Sequence, residues 1–443
     1  MELRSIALAF AGLACAPLAP SAPGGPADAP GSRVPEAHAA AGEPGGPGLA
    51  LLAAKALTAA YEGEQVVDHA VLLVKDGRIE ALGPADSTPV PAGYEVRDLG
   101  ERWVMPGMID LHSHVGGTFD INDVVYVTNP ELKVHASVVP HNPNLKRALA
   151  SGVTTVLYIP GSGSNMGGQG VLMKTGLDRY EEALVRDPGS LKVAQWGNPE
   201  SWTVGVGKAF ENWSLRDQFR RGLAYAKAWR AFEAGQGEKP EKDARLEVFR
   251  ELLAKRTQVS THTQVFQVVL MTITMIRREF GLDVYIDHGE MGGYKAGKLA
   301  QELGVPAIVG PRAIDAPVRY MINWTGTNPE RVEGLAAAYQ AAGVTDIGFN
   351  TDAPVIPAEE LFLQAAMGVR YGLDNSRLET VRGLTIVPAR TAGIADRVGS
   401  LEPGKEADVL VISGDPADPR TSVEAVFIEG REVYDTAVEP RRF

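Results

Sequence analysis

Short apolar runs, each bounded by turn residues, indicate that both ends of the chain are rich in β-strand. The first two runs are separated by Asp76-Gly77, and an Asp-Gly dipeptide between apolar runs is typical of a β-hairpin. Because these β-rich ends flank a long middle of different character, we predict that residues 49–103 and 386–443 together build one small β-sandwich. The runs lie at residues 71–74, 79–83, 408–412, 425–428 and 432–434.

The middle of the chain, residues 104–385, alternates strand-like apolar runs with stretches of helical periodicity. This alternation predicts βα units and a parallel sheet, and ~280 residues of it fit a (β/α)8 TIM-type barrel. The chemistry of such barrels lies at the C-terminal ends of their strands. Residues 207–258, rich in Arg, Lys, Glu and Ala, are predicted to form a helical excursion after the fourth strand. The strand-like runs include 108–111, 152–159, 191–194, 283–287, 305–309 and 345–349.

The N-terminus has the pattern of an export signal. Residues 1–22 begin with a short segment bearing Arg4 and continue through an apolar stretch into small residues, which resembles a secretory signal peptide. Residues 23–48, dominated by Ala, Pro and Gly, are predicted to be a disordered linker. Cys15 follows a segment similar to a lipoprotein processing site except at Gly12. We therefore expect an exported protein, periplasmic or extracellular, that is membrane-associated only if Cys15 is lipidated.

Composition narrows the chemistry that the chain supports. Hydrophobic residues make up 44% and charged residues 22% of the 443 residues, as in ordinary globular proteins. The formal net charge is -12 and basic residues form no block, which argues against a nucleic-acid partner. The single cysteine excludes an intramolecular disulfide and a thiolate metal cluster. Histidine, carboxylate and lysine are therefore the available metal ligands.

Two histidines close the first strand-like run of the middle segment. Side chains two positions apart on a strand point the same way, so His112 and His114 are expected to present two imidazoles to one point beyond the strand. Neutral imidazole is a preferred ligand of zinc and neighbouring transition metals. The pair therefore predicts half of a metal site.

The surrounding residues carry a family resemblance. The run PGMIDLHSH at 106–114 resembles the first-strand signature of the metal-dependent amidohydrolase superfamily, closest to its imidazolonepropionase-like and prolidase-like branches. The run VGSLEPGKEAD at 398–408 is similar to the segment that enters the returning β-sandwich in the same superfamily. The resemblance covers about residues 50–435 and implies the same fold, with a metal centre at the mouth of the barrel.

Three further residues follow strand-like runs, in the order that the resemblance implies. With His112 and His114, the residues His262, His288 and Asp352 match the metal ligands of the superfamily's strands one, five, six and eight. We expect all five side chains to converge on one site. The remaining histidines are assigned structural positions; they are His38, His69, His135 and His141.

The ligand of the fourth strand is left between two lysines. Superfamily members with two metals commonly bridge them with a carboxylated lysine, and the resemblance favours Lys192, which lies between apolar residues in a short strand. Lys174 is the rival, and either could be an ordinary lysine with its charged end in solvent. Relatives often carry Gly-Glu-Asn-Pro after this strand, whereas residues 195–199 read QWGNP. The absent carboxylate suggests that the second metal or the substrate differs here.

The resemblance implies a hydrolase that cleaves a carbon–nitrogen bond with metal-activated water. One or two divalent ions, zinc being expected, would be held by the five residues and Lys192, with Asp352 as the general base. The substrate is expected to be a small amide, cyclic amide or short peptide rather than an ordinary endopeptide bond. Two alternatives stay open: a mononuclear deaminase or ring hydrolase with Lys192 as a free amine, and a noncatalytic metal-binding relative. Assembly into a homo-oligomer also stays open.

Overall fold

The computed structural model describes residues 47–118, 121–195, 199–200, 206–315 and 332–439. The predicted export signal, Cys15 and nearly all of the predicted linker lie outside these ranges. Among the helices in the described ranges, none combines the length and the apolarity needed to cross a lipid bilayer.

Eighteen strands lie in the described residues. They are β1 (Leu49–Leu57), β2 (Val66–Lys75), β3 (Arg78–Pro84), β4 (Glu95–Asp98), β5 (Trp103–Pro106), β6 (Met108–Ser113), β7 (Val153–Tyr158), β8 (Met166–Lys174), β9 (Leu184–Ala194), β10 (Gln258–His262), β11 (Ile286–His288), β12 (Ala307–Val309), β13 (Ile314–Asp315), β14 (Glu333–Gly334), β15 (Ile347–Phe349), β16 (Val409–Ile412), β17 (Val423–Ile428) and β18 (Arg431–Asp435).

Ten α-helices connect these strands within the described ranges. They are α1 (Pro143–Ala150), α2 (Tyr180–Ala183), α3 (Lys208–Glu233), α4 (Val248–Leu253), α5 (Phe266–Ile273), α6 (Gly297–Glu302), α7 (Leu335–Ala341), α8 (Leu361–Arg370), α9 (Glu379–Leu384) and α10 (Ile386–Thr391). A π-helical turn, Thr274–Glu279, follows α5, and short 3-10 turns lie at Val134–Ser137, Gly293–Ala296 and Ala358–Glu360.

Both ends of the chain enter one eight-stranded sheet. Its order is β18-β17-β16-β5-β1-β2-β3, and β4 pairs with β1. The ends meet where β16 lies antiparallel to β5, with Leu410 opposite Met105. Alternate residues of these two strands face different cores: Val104 packs with the inner face of the sheet, whereas Met105 packs with the central part of the molecule. This explains why both strands are apolar throughout.

The middle of the chain forms a mixed α/β arrangement around eight strands. Five of them pair in the order β10-β9-β8-β7-β6, and three pair in the order β11-β12-β15. Parallel bridges link β10 to the segment of β11, through Val259 with Val284 and Thr263 with His288. A further parallel bridge joins Ser113, at the end of β6, to Ala353, after β15.

The prediction of uniformly parallel βα units is wrong at one strand. β8 runs antiparallel to both β7 and β9. Only residues 159–165 connect β7 to β8, and a parallel crossover needs a dozen or more residues. A short Gly- and Ser-rich connection therefore makes a hairpin, and Lys174 comes to lie at the opposite end of the sheet from the C-termini of the parallel strands.

The helical excursion predicted over 207–258 is confirmed by α3 and α4. The buried side chains of α3 recur every three or four residues, as on an amphipathic helix. One of them, Phe219, meets Phe249 of α4 edge to face, with ring centroids 5.7 Å apart. This packing joins the two helices of the excursion to each other.

Candidate metal centre

The structure brings the six predicted site residues together where parallel strands end. His112 lies near the end of β6, His262 and His288 are the last residues of β10 and β11, and Asp352 follows β15. Lys192 lies on β9, two residues before its end. All of these strands run in the same direction, so their C-terminal ends meet at one edge.

Two groups of potential metal ligands share His112. The nitrogens of His112, His262 and His288 lie within 4.8 Å of one another, as do ligand atoms of His112, His114 and Asp352. His112 Nε2 and His114 Nε2 are each 3.2 Å from Asp352 Oδ1. Lys192 Nζ is 3.2 Å from His112 Nε2, which places it in the same cluster.

Every histidine of the cluster has its Nδ1 directed at an oxygen atom. A carboxylate or carbonyl oxygen can only accept, so it fixes Nδ1 as the protonated nitrogen and leaves the Nε2 lone pair for a metal. The Ser162 hydroxyl can accept from His262 in the same way. The four pairs are His112 with Asp287 Oδ2 (2.6 Å), His114 with the Ile159 carbonyl (2.9 Å), His262 with Ser162 Oγ (2.9 Å) and His288 with the Gly310 carbonyl (3.1 Å).

This arrangement fits a bound cation. His288 Nε2 is buried and has no hydrogen-bond partner within the described part of the chain, although buried polar atoms are normally paired. Burial, together with the neighbouring Lys192 amine, lowers the pKa of His262 to about 3, so that imidazole is neutral. Neutral imidazoles and a carboxylate that converge on one point form a typical donor set for zinc and similar divalent ions.

Among the residues that the structure describes, Lys192 is enclosed without a compensating anion at hydrogen-bond distance. Its amine contacts His112 Nε2 and, at 3.4 Å, the carbonyl of Thr261. Burial lowers its pKa to about 8, although Asp287 and Asp352 act in the opposite direction. A buried lysine with a depressed pKa is a nucleophilic amine near neutral pH.

The rival lysine lies elsewhere. Lys174 Nζ is 2.5 Å from Asp408 Oδ2 and 2.8 Å from Glu406 Oε2, two carboxylates just before β16. Burial acts to lower its pKa, but these carboxylates raise it above the usual lysine value. Lys174 therefore lies outside the histidine cluster, and its charge is already neutralised by the returning end of the chain.

Asp352 is held as a carboxylate at the centre of the cluster. Burial acts to raise its pKa, but His112 and His114, when protonated at Nε2 as well, bring the pKa well below the usual range. Its backbone is in the left-handed region, with φ 49°, and that of His288 has φ 73°. Such a conformation is costly for non-glycine residues and is found at functional sites that the surrounding structure stabilises.

The sequence reasoning missed the residues that support the ligands. Asp287 accepts hydrogen bonds from His112 and, at 3.2 Å, from Asn350 Nδ2. A carboxylate within the apolar run of 283–287 was a sequence feature that could have identified it. Ser162 lies in a Gly- and Ser-rich connection where nothing in the local pattern marks it. Asp110 accepts the backbone N–H of His112 at 3.0 Å, and burial raises the pKa of this carboxyl to about 7.

Two of the histidines that were assigned structural positions, and the first residue of the QWGNP segment, lie in the described part of the chain. His135 and His141 lie outside the cluster and contact Asp187 and Asp178. Gln195, which begins the QWGNP segment, is buried and accepts a hydrogen bond from Thr272 at 2.5 Å. Residues 196–198 and His38 lie outside the described residues.

Comparison with known proteins finds similarity to amidohydrolases and to an imidazolonepropionase. The profile of the amidohydrolase family matches residues 302–433. Amidohydrolase tasK of Hapsidospora irregularis is 25% identical over 427 residues, which are 85% of this chain but only 40% of that protein. The imidazolonepropionase of Sphingopyxis alaskensis is 26% identical over 392 residues, covering 82% of this chain and 92% of the relative.

A solved structure extends the similarity to the fold. The crystal structure of an amidohydrolase from Thermotoga maritima is 31% identical in sequence and superposes with a TM-score of 0.75. The match covers 87% of this chain and all of that one. It implies a TIM-barrel-type fold for the central strands, with the β-rich part formed by the two ends.

Proposed function

This chain belongs to the amidohydrolase family of metal-dependent hydrolases, and from that premise we propose that it cleaves a carbon–nitrogen bond in a small amide or cyclic amide. One observation carries the proposal. Four imidazoles, each fixed through Nδ1 by an oxygen atom, converge with Asp352 on one buried centre. That arrangement has no structural purpose in the absence of a cation, because it leaves imidazole lone pairs facing one another.

The two overlapping ligand groups would hold one or two divalent cations. Zinc is the ion that we expect, because the donors are mainly imidazole nitrogens. When bound, a divalent cation lowers the pKa of water from about 15.7 toward about 7 and polarises a carbonyl oxygen.

Asp352 is the proposed general base. It accepts a proton from the water whose oxygen adds to the substrate carbonyl carbon, and then delivers that proton to the leaving nitrogen as the C–N bond breaks. Its contacts with His112 and His114 hold it in one orientation beside the imidazoles that would bind the cation. Asp287 and Ser162 keep the imidazoles in position throughout.

We infer that Lys192 carries a carboxyl group when two cations are bound. Its neutral amine adds to carbon dioxide, an N–C bond forms and one proton is released, which leaves an anionic group with two donor oxygens. No carboxylate of the described ranges is hydrogen-bonded to this enclosed amine, which supports the inference, since the modification supplies the missing negative charge. In the alternative, a mononuclear deaminase or ring hydrolase, Lys192 remains a free amine.

Two further features belong to the proposal. We infer that the eight central strands close into a barrel, which is supported by the bridges of Val259 with Val284 and of Ser113 with Ala353. We also propose export, directed by residues 1–22, with a lipid on Cys15 as the anchored form. Mass spectrometry of the native protein should find a mature N-terminus within residues 15–30, and an intact Met1 would contradict export.

The function is tested by metal analysis combined with a substrate panel. Elemental analysis of the purified protein should find one or two divalent cations per chain, with zinc as the expected ion. It should hydrolyse at least one member of a panel of Xaa-Pro dipeptides, N-acyl amino acids and cyclic amides. Chelation should abolish that hydrolysis and added zinc should restore it. A protein that binds metal but hydrolyses no amide, lactam or lactone would be the noncatalytic relative instead.

A further inference from the structure

A cleft of about 360 Å³ opens at the end of the central strands that faces away from the histidine cluster. Its walls include Arg186, near the start of β9, and Gln258, the first residue of β10. The site residues Lys192 and His262 lie near the other ends of these strands. Six residues of extended chain separate Arg186 from Lys192, which corresponds to about 20 Å. The cleft is therefore distinct from the metal centre.

Positive charge is concentrated around this cleft, in a chain whose net charge is -12. Its lining contains one carboxylate, Asp283, and four cationic side chains: Arg186, Lys255, Arg256 and Arg390. Asp283 is already paired with Arg277 at 2.6 Å and lies 3.6 Å from Lys255. Arg256 is paired with Glu251. Arg186 and Arg390 have no carboxylate at ion-pair distance among the residues that the structure describes.

Arg186 forms the floor of the cleft as a largely buried cation. Its guanidinium donates to the carbonyls of Ala392 (2.6 Å) and Gly189 (2.8 Å) and to Gln258 Oε1 (2.6 Å). These partners are neutral, so they satisfy hydrogen bonds without balancing the charge. Desolvation accordingly lowers the pKa of this arginine to about 10.

The same floor contains donors that lack partners within the described ranges. Arg186 Nε, Gln258 Nε2 and Thr257 Oγ1 are enclosed and form no hydrogen bond. Gln258 is 5% and Thr257 4% exposed, and buried polar groups of this kind are normally satisfied. A floor of unpaired donors around an uncompensated cation has the electrostatic character of an anion site.

We propose that this cleft binds a small oxyanion, with phosphate as the representative chemistry. The exposed basic side chains above the floor, Lys255, Arg256 and Arg390, contact the ligand, and Arg186 supplies positive potential from below. Arg390 is held in place by Tyr61, whose ring centroid lies 3.6 Å from the guanidinium carbon. Guanidinium groups match the geometry of phosphate oxygens, which favours phosphate over a monovalent halide.

Calorimetric titration of inorganic phosphate into the metal-loaded protein, at constant ionic strength with chloride, tests the proposal. We expect saturable binding to one site, and about tenfold weaker binding in Arg390→Gln and in Lys255→Gln, because each removes a charge-assisted contact. Arg179→Gln is the matched control, since Arg179 is an exposed arginine outside the cleft and its loss should leave phosphate affinity unchanged. These variants avoid Arg186, whose removal would disturb folding.

Phosphate could also bind at the metal centre, and a second arm separates the two sites. Binding that disappears on chelation but persists in the Arg390→Gln, Lys255→Gln double variant would overturn the proposal, as would no binding by the wild type. Binding that persists after chelation and is lost in the double variant would support it. Ribose 5-phosphate distinguishes the ligand source: equal or tighter binding than inorganic phosphate indicates a phosphate ester, and weaker binding indicates the free ion.

Discussion

Two buried lysines on neighbouring antiparallel strands have opposite surroundings. Lys174 on β8 is 2% exposed and lies between the carboxylates of Glu406 and Asp408. Lys192 on β9 is fully buried, and its amine contacts an imidazole and a backbone carbonyl. The carboxylates raise the pKa of the first lysine, whereas burial lowers that of the second to about 8.

The difference separates a structural lysine from a chemical one. Lys174 is a cation whose charge is balanced by its environment, so it joins β8 to the returning end of the chain. Lys192 lies where a cation is unfavourable, so its amine is available for modification or metal binding. Burial alone does not distinguish the two roles; the charge of the neighbours does.

The largest effect is expected from removal of Lys192. Lys192→Ala should lower kcat by about 10³-fold or more, because loss of a metal ligand removes several kcal/mol of transition-state stabilisation. Elemental analysis should find about half of the wild-type metal, and short carboxylic acids should restore part of the activity by filling the vacated space. Lys174→Ala is the matched control, with kcat per folded molecule retained. Full metal content and activity in Lys192→Ala would remove the bridging role.

Asp352→Asn tests the anionic side of the same cluster. The amide keeps the size and one oxygen donor but cannot accept the proton, so kcat should fall by at least about 100-fold. Circular dichroism should show an intact fold, and bound metal should decrease only modestly. Near wild-type turnover would exclude Asp352 as the base while leaving it a candidate ligand.

Lys174→Ala should destabilise the protein rather than inactivate it. Removing one partner of a buried ion pair leaves uncompensated charge, here on Glu406 and Asp408, and costs about 3–5 kcal/mol. Urea unfolding should show this loss, whereas Lys192→Ala, which breaks no ion pair within the described ranges, should lose much less. Equal destabilisation by the two substitutions would mean that the surroundings of the lysines differ less than the contacts indicate.

The stabilisation provided by Lys174 should also depend on pH, and this is the smallest effect. Burial acts to raise the pKa of Glu406, but Lys174 and Arg397 bring it below the usual value. The contribution of Glu406 is thus complete above its unfolded pKa of about 4.3 and is lost as pH falls through the lower folded value. The raised pKa of Lys174 gives a contribution that is complete below about 10.4 and is lost at higher pH.

The measurement compares metal-free wild type with metal-free Lys174→Ala. The difference in unfolding free energy between them should be constant from about pH 5 to about pH 10 and shrink on either side. A difference that grows as the pH falls below about 4 would contradict an ion-paired Lys174.

Much of the site could be predicted from local sequence patterns. His112 and His114 are two apart on a strand, and His262, His288 and Asp352 each follow an apolar run, so their convergence could be predicted from the common end of parallel strands. The β-rich ends and the helices over 207–258 could be predicted in the same way, because strand and helix patterns repeat over a few neighbouring residues.

Which of the two lysines lies in the site depends on contacts between distant parts of the chain. Lys174 and Asp408 are 234 positions apart, and their contact depends on how β16 returns to the molecule rather than on any local pattern. The reversed direction of β8 and the contact of Ser162 with His262 arise in the same way. The sequence determined which residues can do chemistry, whereas packing between distant segments determined which charges each of them meets, because electrostatic environment depends on distance in space and not along the chain.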